Sequence, residues 1–168
     1  MKTILRAALT LVCATVFWMA SAQEAKEFHY RHQGMDRTYW LYMPEDLPED
    51  APLVILLHGY KASAKGYRPE MMTVAKENGF ALCYPQGAVD GRGKTCWNVG
   101  YPFQKDLKTD DVDFICSLAR HLQKTHGLSR QNTFLTGMSN GGEMCYLMAY
   151  LKPDVFAAFA PIAGLSME

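Results

Sequence analysis

The sequence predicts an α/β fold in which a mostly parallel sheet carries helices on both faces. Two observations support it: apolar runs without alternation at 53–57 and 80–84, and helical periodicity that recurs between such runs. Unalternated apolar runs are typical of parallel strands covered on both sides, and repeated strand and helix alternation indicates a parallel sheet. The length of 168 residues, 49% of them hydrophobic, fits a single globular domain.

The first 22 residues have the pattern of a signal peptide. Lys2 and Arg6 precede an apolar run over 7–19, and the small residues of 20–22 form a cleavage pattern. The run is short for a bilayer span. We therefore predict a signal peptide over 1–22, a folded domain over 23–168, a secreted or periplasmic protein, and no membrane attachment after cleavage.

Charge and cysteine content narrow the function classes. Seventeen basic residues balance seventeen acidic ones, so no net positive field favours a nucleic-acid partner. No Cys-x-x-Cys or His/Cys cluster suggests zinc, and we predict neither a metal nor a cofactor. In an oxidising compartment we expect at least one disulfide, with Cys96 as the favoured member, and the pairing stays open. The sequence leaves the oligomeric state open as well. The four candidate cysteines are Cys83, Cys96, Cys116 and Cys145.

The first half of the domain begins with a predicted hairpin. Strands over 28–32 and 37–43 flank a loop at 33–36, and a proline-punctuated acidic connector leads to the buried strand 53–57. Apolar residues at helical spacing then predict a helix that Gly79 ends, before the next strand at 80–84. The helical positions are Met71, Val74, Ala75 and Asn78.

The second half continues the alternation after a glycine-rich loop over 85–107. Asp110 is a good N-cap for a helix that ends at Gly127, and we attribute Asp110, Asp111 and Asp113 to helix capping and first-turn charge. A strand at 133–137, a helix at 140–151 and a strand at 157–163 follow. The apolar stripes of the two helices are Ile115, Leu118, Ala119 and Leu122, and Met144, Leu147, Met148 and Leu151.

The motif that indicates chemistry lies between the strand at 133–137 and the helix at 140–151. It is Gly137-Met138-Ser139-Asn140-Gly141, followed by Gly142. A G-x-S-x-G between a strand and a helix predicts a nucleophile elbow, in which a sharp turn presents Ser139 as the nucleophile. Gly137 and Gly141 leave room within the turn, and the helix start offers free N–H groups to developing negative charge.

A second signal, His58-Gly59-Tyr60, follows the central buried strand. Parallel strands end at one edge of the sheet, so this segment is expected beside Ser139. We predict that the backbone N–H groups of Tyr60 and Asn140 form an oxyanion hole. We expect the His58 ring to be buried and to orient its loop rather than to act as a base.

Six ordered segments give the chain a family resemblance: 57–59, 84–87, 96–98, 110–114, 136–142 and 156–164. They resemble the polyhydroxybutyrate depolymerase and feruloyl esterase group of α/β-hydrolases, over about 37–164. The resemblance implies an α/β-hydrolase fold and a secreted serine esterase. Its substrate would be a small ester, a feruloyl- or acetyl-decorated plant polysaccharide, or a polyhydroxyalkanoate.

The resemblance also predicts parts that this sequence lacks. The chain order in this fold is serine, acid, histidine, yet all five histidines precede Ser139, at 29, 32, 58, 121 and 126. We interpret His29 and His32 as solvated strand residues, and His121 and His126 as surface or helix-end residues. The chain therefore looks like the first two thirds of a hydrolase without its last two strands, and we expect it to be inactive or very weak alone.

Three aromatic residues in the glycine-rich loop, Trp97, Tyr101 and Phe103, are candidates for substrate contact, with loop packing as the alternative. Two further functions stay open. A serine peptidase of the same fold would share Ser139 and the oxyanion groups. A noncatalytic binding protein derived from a hydrolase would retain the fold without the chemistry.

Overall fold

A six-stranded sheet organises residues 24–66 and 69–166, the part of the chain that the computed structural model describes. The predicted signal peptide lies outside the described residues. The strand order is β1-β2-β4-β3-β7-β8, and β5 and β6 form a separate small hairpin. The strands are β1 (Lys26–His32), β2 (Met35–Tyr42), β3 (Leu53–Leu57), β4 (Ala81–Pro85), β5 (Ala88–Val89), β6 (Thr95–Cys96), β7 (Thr133–Met138) and β8 (Ala158–Ile162).

The hairpin between β1 and β2 is tighter than the sequence predicts. Its turn has two residues, Gln33 and Gly34, with φ of 46° and 81°, and His32 pairs directly with Met35. Two positive φ values match the right-handed twist of paired strands, so the strands extend further than a four-residue loop would allow. The expected loop at 33–36 is therefore two residues too long.

The central strands run parallel and in register. Leu53 pairs with Thr133 and Leu57 with Gly137, while Leu53 also pairs with Ala81 of β4. β3 and β7 therefore end at the same level of the sheet, as the sequence predicts. The residues that follow these two strands lie next to each other at its carboxyl edge.

Within the described residues, three α-helices agree with their sequence signals. They are α1 (Pro69–Asn78), α2 (Asp111–His126) and α3 (Asn140–Leu151). The Asp110 side chain accepts a hydrogen bond from the Asp113 N–H, which confirms the predicted cap. Gly79 and Gly127 follow α1 and α2 with φ of 68° and 64°, in the left-handed region that glycine enters without steric cost.

Helices cover both faces of the sheet, as predicted. Alternate residues of β3 divide between two apolar clusters: Leu53, Ile55 and Leu57 join the side chains of α2 and α3, and Val54 and Leu56 pack with those of α1. On α3 the expected apolar stripe is only partly buried. Met144 and Met148 are fully buried, whereas Leu151 at the helix end is exposed.

The expected disulfide is absent from the described residues, where all four cysteines are free thiols. The expectation for Cys96 was wrong because this residue lies in β6, fully buried, rather than in a polar loop. Burial raises the pKa of all four thiols, to about 12 for Cys145. The cysteines therefore act as small apolar side chains in the core.

Candidate active site

Ser139 occupies a strained turn between β7 and α3. Its backbone has φ 54° and ψ −120°, a conformation that a non-glycine residue adopts only when its surroundings enforce it. The Ser139 N–H donates to the Ile162 carbonyl of β8, and the Ser139 carbonyl accepts from the Glu143 N–H in the first turn of α3. The turn is thus held from both sides, and the Ser139 side chain is exposed.

The glycines around Ser139 have no room for a side chain. A Cβ at Gly141 would come within 2.5 Å of the Leu57 carbonyl oxygen and 2.7 Å of the His58 carbonyl oxygen. A Cβ at Gly137 would come within 2.5 Å of the Gly141 carbonyl oxygen. These residues allow α3 to begin directly against the end of β3, which brings the turn close to the 58–60 segment.

The loop after β3 lies against the serine. A Cβ built on Gly59 would be 3.5 Å from the Cβ of Ser139. Among the described residues, no hydrogen-bond acceptor is assigned to the backbone N–H of Tyr60 or of Asn140. Lys61, which follows Tyr60, has φ 67° and donates its N–H to the Thr95 carbonyl. The two N–H groups singled out from the sequence are therefore free beside the turn.

The His58 ring is buried and holds neighbouring loops together. Its Nδ1 lies 2.8 Å from the Gly59 carbonyl oxygen, and its Nε2 accepts from the Gly87 N–H and the Gln86 amide, each at 2.9 Å. These partners require a neutral ring with the proton on Nδ1. Burial lowers the pKa of His58, although the Gly59 carbonyl opposes this shift. The ring orients its loop, as the sequence suggests.

The side chain of Asn140 fastens the elbow to the loop that contains Trp97. Asn140 Oδ1 accepts from the Trp97 N–H at 2.8 Å, and its Nδ2 donates to the Trp97 carbonyl at 3.2 Å. Asn140 is 2% exposed. The sequence motif points only to the backbone N–H of this residue. An amide side chain at the first position of a mostly apolar helix was the available signal.

Trp97 does not contact solvent, so its assignment as a substrate-contact candidate was wrong. It is fully buried, and its indole Nε1 donates to the His58 carbonyl at 2.9 Å. The ring also packs 5.1 Å from the His58 ring centre. A large apolar ring next to the end of β3 is more stable in the core than exposed on the loop. The backbone of Trp97 links this loop to Asn140.

Asp111 has a role that helix capping does not explain. It is 1% exposed, accepts from Arg37 Nη2 at 2.8 Å and accepts from the Asn98 N–H at 2.8 Å. The Arg37 guanidinium also lies 3.8 Å from the ring centre of Phe114. This buried ion pair ties β2 to the start of α2 and to the residue after Trp97.

Asp113 likewise serves a distant contact. Its carboxylate lies 2.8 Å from Nε2 of His32. The hydrogen bond from His32 lowers the pKa of Asp113, although partial burial opposes the shift. His32 is 6% exposed, so its interpretation as a solvated strand residue was wrong. The helix start covers this end of β1, which no pattern within β1 indicates.

Tyr101 and Phe103 line the surface beside the elbow. The Tyr101 hydroxyl donates to Glu143 Oε2 at 2.5 Å, and its ring stacks on Phe103 with centres 5.0 Å apart. Burial raises the pKa of Tyr101 to about 12, with a further contribution from Glu143. Both rings are partly exposed, as a substrate-contact position requires.

No histidine of the chain is placed to serve Ser139. The His58 nitrogens are already engaged, and His29 is exposed on β1 beside Asp36. β1 is four strands from β7, which is roughly 19 Å at about 4.8 Å per spacing. His121 packs against Tyr30 of β1, and His126 lies near Phe28 of β1. His121 and His126 thus lie near β1, at the edge of the sheet away from Ser139.

Two negative findings apply to residues 24–66 and 69–166. No helix there is long and apolar enough to cross a membrane. No group of three or more His, Cys, Asp or Glu side chains there is placed to hold a metal ion.

Comparisons with known proteins show which family the chain resembles. A family model described as esterase PHB depolymerase matches residues 37–167. The chain is 30% identical over 124 residues to poly(3-hydroxyalkanoate) depolymerase C of Paucimonas lemoignei, covering 73% of the chain and 30% of that protein. It is 28% identical over 161 residues to feruloyl esterase B of Thermothelomyces thermophilus, covering 92% of the chain and 53% of that protein.

Solved structures confirm the predicted α/β-hydrolase fold. The acetyl xylan esterase from Aspergillus awamori superposes with a TM-score of 0.70 at 21% identity, over 84% of this chain and 53% of that one. S-formylglutathione hydrolase from Staphylococcus aureus gives 0.65 at 21% identity, over 84% and 57%. The chain therefore spans a partial domain, about half of the length of these structures.

Proposed function

The chain belongs to the esterase PHB depolymerase family, and on that premise we propose that it provides the nucleophile and oxyanion hole of a secreted serine carboxylic-ester hydrolase. The observation that carries the proposal is the geometry of the elbow. An exposed serine in a strained turn lies against the loop after β3, and among the described residues no acceptor is assigned to the backbone N–H of Tyr60 or of Asn140. That combination suits attack on a carbonyl carbon.

In the proposed mechanism, the Ser139 oxygen attacks the ester carbonyl carbon and its proton passes to a histidine base. The carbonyl oxygen becomes an oxyanion, which the N–H groups of Tyr60 and Asn140 hold. The alcohol then leaves with a proton, and water hydrolyses the acyl-serine. Losing one such N–H donor typically costs roughly 3 kcal/mol of transition-state stabilisation.

The histidine is proposed to come from the part of the relatives' length that this chain does not span. All five histidines of the chain are engaged elsewhere or lie toward β1. Without a base, turnover is expected to fall by roughly four to six orders of magnitude, because only the oxyanion hole and binding remain. The substrate is proposed to be an ester of the feruloyl, acetyl or hydroxyalkanoate type.

Fluorophosphonate labelling followed by intact-mass measurement tests the nucleophile. The expected result is one slow adduct on Ser139, accelerated by imidazole as an external base. Ser139→Ala should abolish the adduct, while Ser166→Ala, which removes another exposed serine, should leave it unchanged. A folded protein that shows no adduct in the presence of imidazole would contradict the proposal and favour the binding-protein alternative.

Ester turnover tests the reaction class. In the presence of imidazole, the protein should hydrolyse aryl and methyl hydroxycinnamate esters above the Ser139→Ala background. It should not cleave the matching peptide anilides. Cleavage of the anilides at a comparable rate would instead support the peptidase alternative.

A further inference from the structure

The loops that surround the candidate site concentrate positive charge in a chain whose formal net charge is zero. Residues 60–66 and 88–108, here termed the cationic loop surface, hold six lysines or arginines and two aspartates. All six basic side chains are exposed. They are Lys61, Lys65, Arg92, Lys94, Lys105 and Lys108. The proline-rich connector at 44–52, beyond the other end of β3, has four acidic residues and no basic one.

Two acidic residues around the elbow, Asp90 and Glu143, accept hydrogen bonds from neighbouring groups. Asp90 is 5% exposed and accepts from the Tyr60 hydroxyl and from the N–H groups of Arg92 and Lys94. Burial opposes the ionisation of Asp90, but these hydrogen bonds outweigh it and lower its pKa. Glu143 accepts the Tyr101 hydroxyl. Asp90 therefore stays ionised and offsets part of the charge of Arg92, but six cations against two aspartates still leave the cationic loop surface with a positive formal charge.

Aromatic rings hold two of these cations beside the elbow. The Arg92 guanidinium lies 3.9 Å from the ring centre of Phe103, which stacks on Tyr101. Lys61 Nζ lies 5.7 Å from the ring centre of Tyr60, and that ring packs edge-on against Phe103 at 5.8 Å. An aromatic face orients a cation while leaving its outer side to solvent.

These rings and cations connect to the Ser139 turn through two contacts. Tyr60 follows Gly59, whose Cβ position is 3.5 Å from the Ser139 Cβ. Tyr101 bonds to Glu143 in the first turn of the helix that Ser139 begins. A polymer bound across the elbow would therefore also cross the rings and the two cations.

We propose that the cationic loop surface binds an acidic polysaccharide, one whose uronic acid carboxylates pair with Arg92 and Lys61 while its sugar rings contact Tyr60 and Tyr101. This inference rests on the proposed esterase function. It specifies that the ester presented to Ser139 belongs to a polysaccharide that contains uronic acids, rather than to a neutral xylan or a polyester. Sugar rings pack on aromatic faces, and carboxylates form charge-assisted hydrogen bonds with guanidinium groups.

Isothermal titration calorimetry with hexagalacturonate, which carries no ester, tests the surface independently of catalysis. The matched neutral probe is xylohexaose, and a single-stranded DNA oligonucleotide of equal charge tests for general polyanion binding. Lys61→Gln/Arg92→Gln removes the two oriented cations. Lys124→Gln/Arg130→Gln removes two cations beside the acidic connector and serves as the control of equal charge.

Hexagalacturonate is expected to bind more tightly than xylohexaose, and Lys61→Gln/Arg92→Gln is expected to weaken its binding roughly fivefold to tenfold. The control variant should bind within about twofold of the unaltered protein, and binding should weaken as salt rises from about 50 mM to about 500 mM. Equal affinity for the neutral probe, equal affinity for DNA, or equal loss in both variants would overturn the proposal. Ser139→Ala should bind hexagalacturonate normally, so a failed labelling test and a failed binding test are separable.

Discussion

Replacing Asn140 by alanine tests whether the elbow depends on a buried side-chain bridge. The amide is 2% exposed and bonds to both the N–H and the carbonyl of Trp97. The Trp97 carbonyl would retain a partner, because the Gln104 amide donates to it at 2.8 Å. The Trp97 N–H would have none. Asn140→Ala thus leaves one buried donor without an acceptor.

The expected cost follows from that single orphaned group. An unsatisfied buried donor costs about 1–3 kcal/mol, so we expect Asn140→Ala to lower the free energy of unfolding by about 2 kcal/mol. In a domain of this size that corresponds to roughly 6 °C in Tm and to about 1 M in the urea midpoint. Urea unfolding followed by tryptophan fluorescence measures it.

Asn132→Ala is the matched control, because Asn132 is exposed and its side chain has no hydrogen bond assigned to another described residue. It should change the free energy of unfolding by less than about 0.5 kcal/mol. If Asn140→Ala is equally mild, the bridge does not hold the elbow and the argument from the Trp97 N–H fails.

Three further outcomes are expected. Asp111→Asn should lower the free energy of unfolding by about 3–5 kcal/mol, because it leaves a buried guanidinium without its counter-charge. The control Asp110→Asn retains a capping side chain and should not lower the free energy of unfolding by this amount. A mild effect of Asp111→Asn would refute the ion-pair argument. Gly141→Ala should cost at least about 2 kcal/mol because its methyl meets backbone atoms, whereas Gly66→Ala has open space; equal urea midpoints would contradict this. The Cys145 thiol, with its pKa raised to about 12, should resist Ellman's reagent at about pH 8 until the protein is unfolded, and rapid reaction in the folded protein would refute its burial.

Most of the fold could be predicted from local patterns. The apolar run at 53–57 became β3, and the predicted helix over 140–151 has the observed bounds of α3. Asp110 and Gly127 marked the ends of α2 because caps and left-handed glycines act within one turn of the chain. The strained turn at Ser139 was also predictable, because the five-residue motif contains the two glycines for which the turn leaves no side-chain space.

The sequence by itself therefore determined most of the elements, the tight turn at Ser139 and the edge of the sheet where that turn lies. The tertiary structure decided which polar side chains are buried with a partner. Arg37 and Asp111 are 74 positions apart, and Asn140 reaches Trp97 across 43. It also buried His32 and Cys96 against both expectations. Periodicity and caps are set by neighbours along the chain, whereas the cost of burying a polar group depends on which distant group the fold brings within hydrogen-bond distance.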